Sequence, residues 1–294
     1  MSKLKKIDLI RQQAAKRLYG VYDRPEQAEQ VSSWLLQKLL NKNSTQLLVG
    51  GQQGLSEQQS LLLDDWLSQI ITLHKPYQYI LGTVPFLNLD LLVQAPILIP
   101  RAETEWWVDQ LLKQWSCHEL APLRILDLGT GTGCIALALA KYFKNSQVWA
   151  VDLLPAACEL AYRNAQLNEV SNITVVQSNL YKSLRDLKFD LIVSNPPYIP
   201  AADYNSLDLS VRNWEDQMAL VAPGDDLSCI RQIILQSPNY LLPSSFNLPR
   251  LWLEVDVTQG EAVLALMHQA GFENAQILCD QFGLVRVVVD VNAR

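Results

Sequence analysis

Asn195-Pro196-Pro197-Tyr198 follows an apolar run, Phe189 to Val193, and places one carboxamide, two fixed backbone residues and one aromatic ring together. The run reads as a buried strand. Two consecutive prolines end it, because neither has an N–H for the ladder and both hold φ near about −65°. A loop therefore starts at Asn195. The Asn195 side-chain oxygen is anchored at a stiff strand end, and the Pro196 carbonyl belongs to no helix or sheet. Two acceptors and a ring can converge on a small planar group with two N–H donors, either an amide or an aromatic amine. A strand-ending turn without chemistry accounts for the same four residues, and the stretch alone leaves both readings open.

A second cluster lies upstream, at Asp127-Leu128-Gly129-Thr130-Gly131-Thr132-Gly133. Glycines at 129, 131 and 133 let the backbone approach a ligand that a Cβ would push away. A dinucleotide fingerprint needs its third glycine one position later, and that position is Cys134, so the spacing is G-x-G-x-G. Asp152 ends the next strand, where a carboxylate accepts from both hydroxyls of a ribose or else caps the following helix. Ser178-Asn179-Leu180 stands past the third strand. There the Asn179 carbonyl can accept from an adenine amine and Leu180 can cover a ring face. Asp127 suits the amino group of a bound amino acid, or is a strand-end acid satisfied by backbone donors.

The elements that must hold these residues alternate after Pro122. Apolar strands are expected at Arg124–Leu128, Gln147–Asp152, Ile173–Gln177, Phe189–Ser194, Leu251–Val255, Ala275–Cys279 and Val285–Val291, with helices at Cys134–Tyr142, Pro155–Asn168, Leu227–Gln236 and Gly260–Ala270. Uninterrupted apolar strands between amphipathic helices indicate a parallel sheet covered on both faces. The last two strands lack a helix between them and should pair antiparallel through Asp280–Gly283. Ahead of this lies a helical bundle: Leu4–Tyr19, Pro25–Asn41, and a helix opened by the capping-box pattern Ser56-Glu57-Gln58-Gln59 that ends before Pro76. Between them Val49 to Gly54 reads as a flexible loop. Gln78–Gly82, Val84–Phe86 and Leu89–Val93 read as short strands of a connecting hairpin. Leu98 to Glu105 then enters a helix with Arg101, Glu103 and Glu105 at its polar start. The chain is thus divided at residues 1–75, 76–101 and 102–294.

The composition of the 294 residues, 49% hydrophobic and 18% charged, is that of a globular protein with a sizeable core. No apolar run approaches the roughly 20 residues that span a bilayer, so no membrane partner is expected. A net charge of −6 argues against a large sequence-independent nucleic-acid footprint. Five cysteines without C-x-x-C spacing and three histidines give no metal set, and the cysteines suit a reducing compartment as small core residues. The first 24 residues are basic and read either as an organelle transit peptide or as a first helix. The apolar spacing Leu4, Ile7, Ile10, Ala14, Leu18 favours the helix.

Asp127 to Gly133, Asp152 and Asn195 to Tyr198, in that order and spacing, resemble a class I S-adenosylmethionine-dependent methyltransferase. Four further stretches resemble the HemK-type (PrmC-like) protein-(glutamine-N5) methyltransferases of peptide chain release factors. They are Pro76–Gly82, Leu98–Glu105, Leu126–Gly133 and Gln259-Gly260-Glu261-Ala262-Val263, and the likeness covers nearly the whole chain. It implies a Rossmann-like α/β fold with a seven-stranded sheet, an N-terminal helical domain that grips the release factor, and a connecting hairpin. The cofactor implied is S-adenosylmethionine, held by Asp127, Gly129, Thr130, Gly131, Thr132, Gly133, Asp152, Asn179, Leu180 and Asn195. The substrate implied is the glutamine of a Gly-Gly-Gln loop in a class-1 release factor. Asn195 and Pro196 would align its amide, Tyr198 and Phe86 would sandwich it, and Pro197, Arg101 and Glu103 would complete the substrate side.

The chain departs from the family where Asn179 replaces the usual Asp, and where Leu242–Arg250 lacks the usual glycine pair. Its own Gly50-Gly51-Gln52 is read as a loop between helices and not as a substrate. The resemblance implies a monomer with no stable nucleic-acid partner, in bacterial cytoplasm or mitochondrial matrix. A methyltransferase acting on the exocyclic amine of adenine would share the chemistry. A basic stripe would mark it, whereas Asp203, Asp208, Glu215 and Asp216 follow Tyr198. A non-catalytic module that binds translation factors is the remaining alternative, and it has no use for the two motifs.

Overall fold

The computed structural model describes residues 6–49, 54–222, 224–243 and 248–291. Gly50-Gly51-Gln52 and residues 244–247 of the loop before the fifth strand lie outside them. The helices and strands run in order α1 (Lys6–Leu18), α2 (Pro25–Leu40), α3 (Ser44–Val49), α4 (Glu57–Leu73), α5 (Tyr77–Leu81), β1 (Thr83–Phe86), β2 (Leu89–Leu92), α6 (Ala102–Gln114), β3 (Arg124–Leu128) and α7 (Cys134–Tyr142). They continue with β4 (Gln147–Asp152), α8 (Pro155–Leu167), β5 (Ile173–Gln177), β6 (Leu191–Ser194), α9 (Leu209–Arg212), α10 (Gln217–Leu220), α11 (Ser228–Gln236), β7 (Pro249–Glu254), α12 (Gly260–Gln269), β8 (Ala275–Cys279) and β9 (Val285–Val291). The chain forms two compact units, Met1–Gly82 with Asp208–Trp214, and Thr83–Leu207 with Glu215–Arg294. No helix among the described residues is long and apolar enough to cross a membrane.

In the first unit, apolar residues at helical spacing meet in one core: Ile7, Ala14 and Leu18 of α1, Ala28, Val31 and Leu35 of α2, and Leu63, Leu67 and Ile70 of α4. The capping box forms, with Gln59 N–H donating to Ser56 Oγ at 3.2 Å and Ser56 N–H to Gln59 Oε1 at 2.9 Å. The strand expected at Gln78–Gly82 is instead helix α5. Pro76 starts it, Gly82 at φ 76° ends it, and Tyr77 stacks on Trp34 with ring centroids 5.3 Å apart. Packing of Tyr77, Ile80 and Leu81 against the helical core outweighs the aromatic, β-branched look of the segment. Asp208–Trp214 joins this unit through Trp214 Nε1, which donates to the Leu73 carbonyl at 2.8 Å.

The second unit is built on a seven-stranded sheet in the order β5-β4-β3-β6-β7-β9-β8. β5, β4, β3, β6 and β7 run parallel, and β9 is antiparallel to both β7 and β8. Successive residues of a strand face opposite sides. Leu191 and Val193 therefore enter the core under α6 and α7, and Ile192 enters the core under α11 and α12. This two-sided burial is why the central strands β3, β6 and β7 are mainly apolar on both faces, with Asp127 and Glu254 as buried exceptions. The hairpin β1–β2 lies within this unit and not between units, because Phe86, Leu89 and Leu91 are buried in the core with Trp107 and Leu111 of α6. The cysteines are free thiols, and Cys117 and Cys279 are exposed where core positions were expected.

The registers matter most for function. Leu128 pairs with Val151 on one side and Ser194 on the other, and Asp152 pairs with Gln177. The glycine loop, Asp152, Ser178–Leu180 and Asn195–Tyr198 consequently leave the sheet at one edge. The chain winds in opposite directions from β3 and β6, which opens a crevice there.

Candidate active site

The glycine loop is folded back onto β4. Gly129 and Thr130 N–H both donate to the Val151 carbonyl, at 2.8 and 2.9 Å, and Gly131 N–H donates to Asp152 Oδ2 at 2.9 Å. Gly129, Gly131 and Gly133 have φ of 73°, 56° and 84°, a region that strains any residue with a Cβ. At Gly133 a Cβ would also stand 3.1 Å from the Ala161 Cβ of α8. Buried Asn164 ties the loop to the hairpin, donating to the Thr132 carbonyl at 2.8 Å and pairing with both backbone groups of Leu92.

Asp127 braces the loop from beneath. Its Oδ2 accepts from the Thr130 hydroxyl at 2.7 Å and from Ala136 N–H at 3.2 Å, while Oδ1 has no partner among the described residues. Complete burial pushes this carboxyl up to about 7. Asp152 also takes backbone donors, Gly131 N–H and Leu154 N–H, each at 2.9 Å. Burial raises it too, against the pull of those bonds. With two acceptor oxygens, the Asp152 carboxylate keeps acceptor capacity beyond these backbone bonds.

Above the loop lies a cavity of about 300 Å³. Its wall includes Gly129, Gly131, Asp152, Asn179, Leu180, Asn195, Pro196 and Pro197 from the sequence-derived set. It also includes Leu98, from the stretch Leu98–Glu105, and Ile97, Asp216 and Met218, which carry no motif. Leu180 adopts φ 49°, an uncommon left-handed conformation at a residue that lines the cavity.

The Asn195 loop is held from three sides. Ser194 Oγ donates to the Leu128 carbonyl at 2.7 Å, fixing the end of β6 against β3. The Asn195 backbone oxygen then stands above Gly129, 3.8 Å from where a Cβ would be. Asn195 Nδ2 donates to Thr104 Oγ1 at 3.1 Å, and nothing among the described residues donates to its Oδ1 or to the Pro196 carbonyl. Thr104 Oγ1 donates in turn to Glu254 Oε2 at 2.7 Å. Gln259 Nε2, buried behind the loop, donates to the Tyr198 carbonyl at 2.8 Å.

Four of the expected substrate-side positions stand away from the cavity wall. Phe86 cannot flank a substrate, because its ring has no exposed surface and is packed in the core with Trp107 and Leu111. Tyr198 is half-buried beside the second core with its hydroxyl 3.5 Å from Glu254 Oε1, and it is not part of the cavity wall. Burial, followed by the neighbouring Glu254, drives its hydroxyl pKa upward. Arg101 and Glu103 do not line the cavity either. Arg101 is ion-paired with buried Glu215, and the Glu103 carboxylate stands 4.0 Å from the Arg286 guanidinium. The residues missed from the sequence are Thr104, Glu254, Gln259 and Asn164. Glu254 left a trace: it is a lone acid inside the apolar run Leu251–Val255.

Residues 109–238 match the family model described as the methyltransferase small domain, and residues 10–82 match the PrmC N-terminal domain. The release factor glutamine methyltransferase of Geobacter sulfurreducens is 37% identical over 90% of this chain and 89% of its own. That of Francisella tularensis is 42% identical over 70% of each chain. The chain belongs to the release factor glutamine methyltransferase family. The solved 16S rRNA N2 G1207 methyltransferase of T. thermophilus, in complex with AdoMet and guanosine, shares the fold with a TM-score of 0.52 at 16% identity, covering 72% of this chain and 50% of its own.

Proposed function

We propose that this chain transfers a methyl group from S-adenosylmethionine to the side-chain amide nitrogen of the glutamine in the Gly-Gly-Gln motif of a class-1 release factor. The observation that carries this is Asn195: its amide N–H is committed to Thr104, which leaves Oδ1 as an acceptor at the cavity wall.

The cavity suits the cofactor on three counts. The Asp152 carboxylate has acceptor capacity for ribose hydroxyls, the positive-φ glycines leave room above the loop, and Leu180 offers an apolar face beside Asn179. S-Adenosylmethionine supplies an electrophilic methyl group on a sulfonium that already carries its leaving group. An amide nitrogen is a poor nucleophile, since its lone pair is delocalised into the carbonyl. The protein therefore acts by positioning. In this reading Asn195 Oδ1 and the Pro196 carbonyl each accept one N–H of the substrate amide and aim its nitrogen into the cavity. Alignment of this kind lowers a barrier by several kcal/mol, up to roughly 7 to 11 in the best intramolecular cases. The same two oxygens stabilise the positive charge that develops on nitrogen before its proton leaves to water. Tyr198, anchored by Gln259, holds the loop rather than touching the amide.

The helical unit Met1–Gly82 with Asp208–Trp214 is assigned to gripping the release factor. The assignment further implies a monomer in a bacterial cytoplasm, with no stable nucleic-acid partner. Incubation with labelled S-adenosylmethionine and purified release factors, followed by mass spectrometry, tests it. A single added methyl on the Gly-Gly-Gln glutamine is expected, and label entering only nucleic acid overturns the reading.

A further inference from the structure

Glu254 is a carboxylate inside an apolar sheet, 3% exposed, with Trp252, Leu253 and Val255 buried around it in sequence. Burying a charge there costs several kcal/mol unless donors surround it, and the alignment of the substrate amide does not call on it directly. Its Oε2 accepts from Thr104 Oγ1 at 2.7 Å and from Trp107 Nε1 at 2.6 Å. A hydroxyl has one proton. With that proton given to Glu254, Thr104 can only accept from Asn195, so the carboxamide turns its NH₂ toward Thr104 and its oxygen away.

The opposite arrangement follows when the added proton sits on Oε2, which Thr104 and Trp107 face, and not on Oε1, 3.5 Å from the Tyr198 hydroxyl. A proton on Glu254 Oε2 would be donated to Thr104, whose own proton would then go to Asn195 Oδ1. The carboxamide would be held reversed, with N–H groups facing the N–H groups of an incoming amide. A donor against a donor cannot align a substrate.

We infer that Glu254, acting through Thr104, fixes which end of the Asn195 carboxamide is offered to the substrate, the ionised carboxylate holding the acceptor outward and protonation reversing it. Thr104 and Glu254 are positioning residues in this scheme, which rests on the role given to Asn195 above. The reversal falls in an accessible pH range, because burial raises the Glu254 carboxyl to about 7. Thr104, Trp107 and Arg286 pull it down, and Glu103 pushes it up. Tyr198 and Cys134 also face it electrostatically, from the loop and from α7.

The test compares Thr104→Val, Thr104→Ser and Glu254→Gln in the full chain, using release factor methylation, S-adenosylmethionine affinity and thermal melting. Thr104→Val should lower kcat at least about 10-fold with cofactor Kd within about twofold of wild type, and Thr104→Ser should restore kcat to within about threefold. Wild-type kcat should rise through pH about 7, and Glu254→Gln should remove that rise. Equal impairment by Ser and Val, a Val variant within about twofold of wild type, or a rise retained in Glu254→Gln overturns the inference. NMR of the Asn195 side-chain amide gives a readout independent of turnover. Its resonances should shift with a midpoint near pH about 7 in wild type and not in Glu254→Gln, and a wild type that shows no shift also overturns it. Wild-type failure to methylate any release factor would instead sink the functional assignment.

Discussion

Asp152 accepts the Gly131 N–H at 2.9 Å across 21 positions of sequence, so the carboxylate assigned to the cofactor ribose also fastens the glycine loop above it. One residue thus serves both the ligand and the shape of its cradle. Asp152→Ala should weaken S-adenosylmethionine binding about 10- to 100-fold, the range expected for losing charged hydrogen bonds worth about 1.5 to 3 kcal/mol. Isothermal titration calorimetry measures this directly. A wild-type Kd would remove Asp152 from the ribose site.

Asp127 makes a prediction of opposite kind, in stability and not in affinity. Its folded pKa is raised by burial from 3.8 to about 7, so the native state holds a proton that the unfolded chain releases. The stabilisation is full below about pH 4 and is lost as pH rises through about 7. Asp127→Asn has no such titration. Its deficit in Tm relative to wild type should shrink as pH is raised from 5 to 8, as followed by calorimetry in paired buffers. A deficit that stays constant or widens contradicts the assignment.

Gly260 begins α12 where a Cβ would stand 2.8 Å from Val285 Cγ1. Gly260→Ala should destabilise the second unit by about 1 to 3 kcal/mol through overpacking, and Val285→Ala should recover part of that loss in the double variant. Denaturant unfolding of the four proteins completes the cycle. Additive losses would show that the two positions do not press on each other.

The sheet was legible because its central strands are buried on both faces and so are mainly apolar, with few polar interruptions such as Asp127 and Glu254, and because proline and glycine punctuate the strand ends. The position of β9 between β7 and β8 was not legible, since strand order across a sheet leaves no local mark. Helix α5 was misread for a related reason: five residues are too few for periodicity, and the stacking of Tyr77 on Trp34 decided their form. In the site, motif residues such as Gly129, Asp152 and Asn195 line the cavity, but so do Ile97, Asp216 and Met218 without one, and the supporting Glu254 and Asn164 carried no motif. Thr104 and Glu254 lie 150 positions apart and meet only when α6 packs across β7. Phe86 shows the converse: the resemblance implied that its ring would cover the substrate amide, and the ring instead fills the core.

The central claim is that Asn195, although it stands on the cofactor cavity's wall, serves chiefly to orient the substrate amide and adds little to cofactor affinity. The decisive measurement is single-turnover methylation of a purified release factor by Asn195→Ala, with S-adenosylmethionine Kd determined on the same sample. The expected result is a rate at least about 100-fold below wild type with a Kd within about threefold. A rate near wild type, or a parallel collapse of cofactor affinity, would contradict it.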